Sequence, residues 1–195
     1  GVICGRIVQI WHEEIVGNPM RIRKYQFSAV RLKRVIDEGV LETISLPRIE
    51  KRALEILEIA NSAFSLKGRA LKIVHAGEAE CLAALEATGS KALLIDEKTT
   101  RLLVEDPLKL ARLMQGEYGS KIFVNQDSLN AFSKISRGLL VMRSSEALAV
   151  AAKRGFFKDY AGLQNEAFHS ALYSLKESGC SITAAELDEY EKIRV

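Results

Sequence analysis

A chain of 195 residues, 48% of them hydrophobic, is long enough to bury one sizeable core, and composition favours a single compact domain over residues 1–195. The formal charge of +3 is only mildly basic, compatible with a nucleic-acid partner but equally with an ordinary cytosolic surface. No run reaches the roughly twenty apolar residues of a membrane span, and the first residues carry no basic-then-apolar secretory pattern, so the expectation is a cytoplasmic protein with no membrane partner.

In chain order, Val2 to Ile10 is rich in β-branched side chains and reads as a strand. It runs into a short helical piece from Ile10 to Val16 that Gly17-Asn18-Pro19 is expected to stop. The opening Gly1-Val2-Ile3-Cys4, already apolar and without an initiating Met, suggests a truncated or processed N-terminus. Tyr25 to Glu38 reads as a helix capped by Gly39, and Val40 to Leu46 alternates toward a strand. Pro47 opens an amphipathic helix in which Ile49, Ala53, Ile56, Leu57 and Ala60 recur at helical spacing. A loose segment with Asn61, Ser62, Ser65 and Gly68 follows.

Next come a helix beginning near Glu78 and stopped by Gly89-Ser90, then a strand from Ala92 to Ile95. Asp106-Pro107 starts a helix through Met114, closed by Gly116 and Gly119. Residues 121–124 and 138–142 read as short buried strands around a helix beginning at Asp127. Ser144 is expected to cap a helix ending at Gly155; Phe168, Leu172 and Leu175 stripe the next; Thr183 to Glu186 is a capping box opening the last. Short apolar strands alternating with helices predict an α/β fold with a mainly parallel sheet, whose ligands gather beyond the carboxyl ends of its strands.

Cys4, Cys81 and Cys180 are widely separated and do not combine with His12, His75 or His169 in a zinc-ligand spacing. The glycines are single helix stops, so a Walker-type or dinucleotide phosphate loop is not expected. The acids are more telling. Glu78 and Glu80 open an Ala- and Leu-rich helix, and Asp96 and Glu97 arrive where an apolar strand runs out. Carboxylates in apolar settings need a cation or donors, and a divalent metal would serve.

Gly77-Glu78-Ala79-Glu80, followed eighteen positions after Glu78 by Asp96 at the end of Leu93-Leu94-Ile95, resembles a PIN domain, the metal-dependent ribonuclease fold of toxin and rRNA-maturation nucleases. The passage from Arg143 to Phe157 and the last helical hairpin resemble one prokaryotic PIN subfamily. The resemblance implies a three-layer α/β/α fold with a mainly parallel central sheet, and a longer insertion near residues 102–120. It also implies a Mg²⁺ or Mn²⁺ site whose metal-bound water hydrolyses RNA phosphodiesters, in an endoribonuclease. The family's early helical Glu maps to Glu14, with Glu13 as fallback, its third acid to Glu78 and its fourth to Asp96. Glu80 and Glu97 are neighbours able to substitute. The family's first-strand acid has no counterpart before Glu13, which implies either a missing N-terminal piece or a degenerate site. Implied partners are RNA, an antitoxin protein and a second copy in a homodimer. The alternatives are a catalytically inactive PIN-like binding or scaffold module and an α/β protein binding a small phosphorylated ligand.

Blander readings stand beside these. Glu78 and Glu80 suit a helix start through the dipole alone, Asp96 suits an N-cap, and Glu13 and Glu14 suit a solvated face. Arg21, Arg23, Lys24, Arg31, Lys33 and Arg34 form the densest basic set and could grip an RNA backbone, although Asp37 and Glu38 close the same helix. Aromatics read as too few, and too little interleaved with these cations, for a base-stacking platform.

Overall fold

The computed structural model describes residues 5–8, 16–44 and 47–195. The fold is mixed α/β. In chain order its elements are β1 (Gly5–Val8), α1 (Arg23–Asp37), β2 (Leu41–Ile44), α2 (Pro47–Asn61), β3 (Phe64–Leu66), β4 (Arg69–Ala70), α3 (Ala76–Thr88) and β5 (Ala92–Leu94). There follow α4 (Lys98–Glu105), α5 (Pro107–Tyr118), β6 (Ile122–Val124), α6 (Gln126–Ile135), β7 (Leu140–Met142), α7 (Ser144–Lys153), α8 (Gln164–Glu177) and α9 (Ala184–Tyr190). Two compact units interleave along the sequence, Gly1–Ser90 with Gln115–Arg137 and Lys91–Met114 with Gly138–Val195.

In the first unit β1 and β2 pair in parallel, Gly5 opposite Leu41 and Val8 opposite Ile44. A single helical turn, Asn18–Met20, precedes α1. Val16 and Gly17 are already helical and Pro19 occupies the first positions of the α-turn, where a missing N–H costs nothing, so the helical path runs through Gly17-Asn18-Pro19 and does not stop there. The preceding helix expected over residues 10–16 falls almost entirely outside the described residues. α1 ends in a Schellman motif: the Gly39 N–H donates to Ile36 O at 2.9 Å and the Val40 N–H to Val35 O at 3.1 Å. Gly39 takes a φ of +73°, which a side chain would resist.

The core of this unit lies where α2 and α3 pack together. Ile49, Ala53, Ile56 and Ala60 of α2 are buried, as the helical spacing predicts, with Leu57 half-buried; Ala79, Leu82 and Ala83 of α3 are buried too. Arg52 clasps Glu86 across the pair through two hydrogen bonds, at 2.7 and 3.0 Å. The segment expected to be loose is instead a hairpin, β3 and β4 joined by Lys67-Gly68, both at positive φ. Two consecutive left-handed residues make the tight turn whose twist suits paired strands, and Lys67 is an unusual residue to supply one. Asn61 then fixes the approach to α3. Its Oδ1 accepts the N–H groups of Ile73 at 2.7 Å and Val74 at 2.9 Å, while its Nδ2 donates to Val74 O at 3.0 Å.

β3 also pairs antiparallel with β6, giving the order β4–β3–β6. Asn125 caps α6 by accepting the N–H groups of Asp127 and Ser128, so that helix starts one residue before Asp127. In the second unit β5 and β7 pair in parallel. Asp106 caps α5 through the Lys109 N–H at 2.8 Å, as Asp106-Pro107 predicts, but the helix runs through Gly116 to Tyr118. The core of this unit is Ala149, Ala152, Phe157, Phe168, Leu172, Cys180, Ile182 and Leu187. The described strands thus make two parallel pairs and one antiparallel sheet. The expectation of fully buried strands is corrected: Leu93 and Ile122 are buried, whereas Leu94, Leu140 and Phe123 are exposed.

Asn61→Ala would leave two backbone N–H groups of the segment before α3 without their acceptor. The expected loss is about 2 kcal/mol. It should be read as a lower urea midpoint with an unchanged slope; an unchanged midpoint would show that the Asn61 clamp does not carry that turn.

Candidate functional site

β5 and β7 lie side by side with Leu94 opposite Met142, and the Ile95 N–H continues the ladder to Met142 O at 2.9 Å. Asp96 and Ser144 therefore stand at equivalent places, each two residues beyond its strand. This is the carboxyl end of a parallel pair, where ligands of such sheets gather. Asp96 Oδ1 accepts the Ser144 N–H at 2.8 Å and Oδ2 accepts the Ser144 hydroxyl at 2.7 Å. The Cys180 thiol donates to Oδ1 at 3.1 Å. Burial pushes the Asp96 carboxyl up, but the two Ser144 donors, the thiol and the charge of Arg143 outweigh it and hold the group below the usual carboxylate range.

This arrangement corrects two expectations about caps. Glu97, not Asp96, caps α4, its Oε2 accepting the Thr100 N–H at 2.6 Å and the Thr99 hydroxyl at 2.8 Å. Ser144 is the first residue of α7, not its cap, and its hydroxyl serves Asp96. Asp96 answers an orphan N–H of α7 from another strand's end, where the helix dipole also favours a negative charge.

Beside it lies a buried guanidinium. Arg143 donates from Nε and Nη2 to Glu146 Oε1 at 3.1 and 2.8 Å, and from Nη1 to Ser181 O at 2.8 Å. Nη2 also meets Glu186 Oε1 at 2.8 Å. Each acid is a helix cap as well: Glu146 Oε2 accepts the Arg143 N–H at 2.9 Å, and Glu186 Oε2 accepts the N–H and hydroxyl of Thr183 at 2.8 and 2.9 Å. Arg143 thus ties the start of α7 to the start of α9. Burial pushes Glu186 up, yet Arg143 and the Thr183 donors draw it down to about 2. Of these residues the Thr183–Glu186 box was visible in the sequence. The Arg143 link to it was not, because forty-three residues separate Arg143 from Glu186.

The other expected acids belong to the first unit or to undescribed positions. Glu78 stands at the third position of α3, and its carboxylate accepts the His75 N–H, which is a capping interaction. Glu80 is buried on the same helix. Burial, together with the charges of Glu80 and Glu78, raises the neighbouring Cys81 thiol to about 11, so it is an inert thiol at neutral pH. Glu14 and its fallback Glu13 lie outside the described residues. The structure therefore brings Asp96 and Glu97 next to each other at the end of β5. It describes Glu78 and Glu80 within the first unit only.

All six expected RNA-contact cations, Arg21, Arg23, Lys24, Arg31, Lys33 and Arg34, are exposed. Lys33 pairs with Asp37 at 2.7 Å and Arg34 with Glu38 at 2.7 Å. The reading of poor interleaving with aromatics is corrected. Lys24 lies 5.3 Å from the centre of the Tyr25 ring, and Phe27, 73% exposed, sits between Arg23 and Arg31.

Among the described residues no group of three or more His, Cys, Asp or Glu side chains is placed to hold a metal ion. Asp96 nonetheless suits a hard cation as a single ligand. It is held ionised, and a carboxylate has about four acceptor positions, of which the Ser144 N–H, the Ser144 hydroxyl and the Cys180 thiol use three.

Comparison with curated proteins finds a Methanosarcina acetivorans protein that bears the name of an ABC transporter ATP-binding protein, 31% identical over 111 residues. The match takes in 55% of this chain and 40% of that protein, so the chain spans well under half the length of the relative it matches. No family model and no solved structure matches the chain.

The depressed Glu186 sets an acid response. Unfolded, the group titrates near 4.5; folded, near 2. Its stabilising contribution is complete above the first value and is lost as pH falls toward the second. Glu186→Gln should flatten the fall in stability between those two pH values, measured by urea unfolding at several pH values. Arg143→Met should cost roughly 2 kcal/mol at neutral pH, less than a fully buried pair because both acids keep partial contact with water. An acid limb identical in Glu186→Gln and the unaltered chain would remove the assignment.

Proposed function

We propose that this chain is a PIN-like, Mg²⁺- or Mn²⁺-dependent endoribonuclease in which Asp96 is the principal metal-binding carboxylate. The observation that carries the reading is the placement of an ionised, doubly anchored Asp96 at the carboxyl end of a parallel strand pair. The resemblance adds Glu14 and Glu78 as the further acids, with Glu80 and Glu97 as neighbours. Each unit holds one parallel pair, which supports a mainly parallel α/β/α reading, while the three-stranded β4–β3–β6 sheet is antiparallel and does not. The bound ion would supply a nucleophilic water and stabilise charge on the phosphoryl oxygens. The chain's own part is to keep Asp96 ionised and oriented through Ser144, with the Arg143 guanidinium next to it in sequence fixed by Glu146 and Glu186.

A second reading, a catalytically silent RNA-binding or scaffold module, is favoured by one set of contacts. Every expected acid whose contacts are described, Glu78, Asp96 and Glu97, accepts backbone N–H groups at a helix start. The name of the Methanosarcina protein raises nucleotide binding as a third possibility. The sequence has no glycine-rich phosphate loop to support it.

The test is cleavage of single-stranded and structured RNA with Mn²⁺ by the unaltered chain, Asp96→Asn and Glu78→Gln. The nuclease reading expects Asp96→Asn to lose at least about a hundredfold in rate, as removal of a metal ligand or charge-stabilising group does. Cleavage at equal rates by the unaltered chain and Asp96→Asn would sink it. RNA binding without cleavage in every form would favour the silent module.

A further inference from the structure

The exposed helix α1 carries a feature that the acid site does not use. Arg23, Phe27, Val30, Arg31 and Arg34 fall at helical spacing on one face, and none of them is buried. Phe27 is 73% exposed and Val30 48% exposed, while the residues of α1 that turn toward the unit are Ala29, Leu32, Val35 and Ile36. Between Arg21 and Ile36 there are six cations and no acid. Among the described residues no ion pair involves Arg23 or Arg31. An open depression of about 500 Å³ lies alongside, lined by Ser28, Arg31, Leu32, Arg34, Val35 and Glu38, so Arg31 and Arg34 belong to both stripe and depression.

The charges run against the helix. Arg23 and Lys24 occupy the first turn, where the dipole disfavours cations, and no acid stands there; Asp37 and Glu38 close the end where it disfavours anions. The pairs Lys33–Asp37 and Arg34–Glu38 also have the weaker orientation, cation before acid. Helix stability accounts for Lys33 and Arg34, which stand near the C-terminal end and pair with Asp37 and Glu38, but not for Arg23 and Lys24 in the first turn or for Arg31. An anionic ligand along the stripe accounts for the cations.

We propose that this face of α1 is a track for single-stranded RNA, with Arg23 and Arg31 on the phosphates and Phe27 stacking on a base. The proposal rests on the reading that RNA is the substrate and adds the strandedness and the surface that holds it. The rise from Arg23 to Phe27, and from Phe27 to Arg31, is about 6 Å each, on the order of one extended nucleotide. An aromatic between cations at that step suits an unpaired strand, whose bases can splay onto a ring. Duplex RNA offers such a stripe only its backbone, because its bases are stacked inside. A membrane surface fits less well, since the exposed Ile22 and Tyr25 fall away from the face of Phe27 and Val30 at helical spacing, so the four do not make the continuous apolar face of an interfacial helix.

The test is fluorescence anisotropy of a labelled single-stranded RNA with the full chain in EDTA, where binding is read without cleavage. Phe27→Ala should weaken binding about tenfold and Phe27→Trp should restore it. Arg23→Gln with Arg31→Gln should weaken it further and reduce the salt slope by about 1.4, the value for two contacts on a single strand. Lys153→Gln, a basic substitution in the second unit, should leave it unchanged. Equal affinity for single and double strands, or unaltered affinity in both the Phe27 and the arginine variants, overturns the proposal. So does loss of binding to anionic phosphatidylglycerol vesicles in Phe27→Ala while RNA binding persists. If α1 variants lose RNA binding and no form cleaves RNA, the nuclease reading fails and the track stands. If Asp96→Asn abolishes cleavage while α1 variants bind normally, the track alone fails.

Discussion

The structure of the second unit depends on how helix starts find acceptors. An α-helix begins with N–H groups that have no partner in the helix, and burial makes leaving them empty costly. Here carboxylates meet that need repeatedly: Glu97 for α4, Asp106 for α5, Glu146 for α7 and Glu186 for α9. Arg143 joins the last two, so that two local caps become one tertiary link. Asp96 differs from all four because it serves a helix distant in sequence. It couples the end of β5 to the start of α7 and reaches Cys180 before α9 as well.

That difference decides what Asp96 can do. A cap within its own helix is set by a few dihedral angles and gains by standing where it is. Asp96 accepts three donors from two other segments, which orient it and keep it ionised. The raised pKa of Cys180, from burial and from the carboxylate itself, keeps the thiol protonated and therefore a donor. An anion anchored by three donors, with one acceptor position left, is equally suited to a strut and to a cation ligand. The chemistry then turns on what approaches that last position, not on the charge.

Much of the element order was legible because its signals are local. Pro47, Asp106-Pro107, the Gly39 and Gly89 stops and the Thr183–Glu186 box each act within a turn or two, and each stands where expected. The β3–β4 hairpin was not legible, since Lys67 adopts a left-handed conformation that its type does not advertise. Short strands hid their exposure: three residues such as Ala92–Leu94 give no alternation from which to tell a half-covered pair from a buried one. Asp96 stands at the strand end where the sequence places it, but its donors Ser144 and Cys180 were not foreseen, and Glu78 is described only as a capping acid of the first unit. Ser144 was read as a local cap because Ser at a helix start usually is one, and only the pairing of β5 with β7 gives its hydroxyl another use. The interleaving of two units is likewise invisible to composition, because both are built from the same kinds of short segment.

Helices α1 and α3 of the first unit show what two different demands look like. α3 carries its acid at the third position, a left-handed Gly89 at its end and a run of buried Ala and Leu between, so charge, cap and packing all favour the helix. α1 buries Ala29 alone, starts without a side-chain cap, puts cations at its positive end and acids at its negative end, and leaves Phe27 in water. What holds α1 is the Schellman close at Gly39 and the packing of its half-buried Leu32, Val35 and Ile36. A sequence selected only to stabilise α1 would exchange Arg23 and Lys24 for acids and Phe27 for a polar residue at no cost to packing. Local rules fail together on the exposed face of α1 that carries Arg23, Phe27 and Arg31, while α3 of the same unit obeys them, and that contrast is what the proposed RNA track would explain.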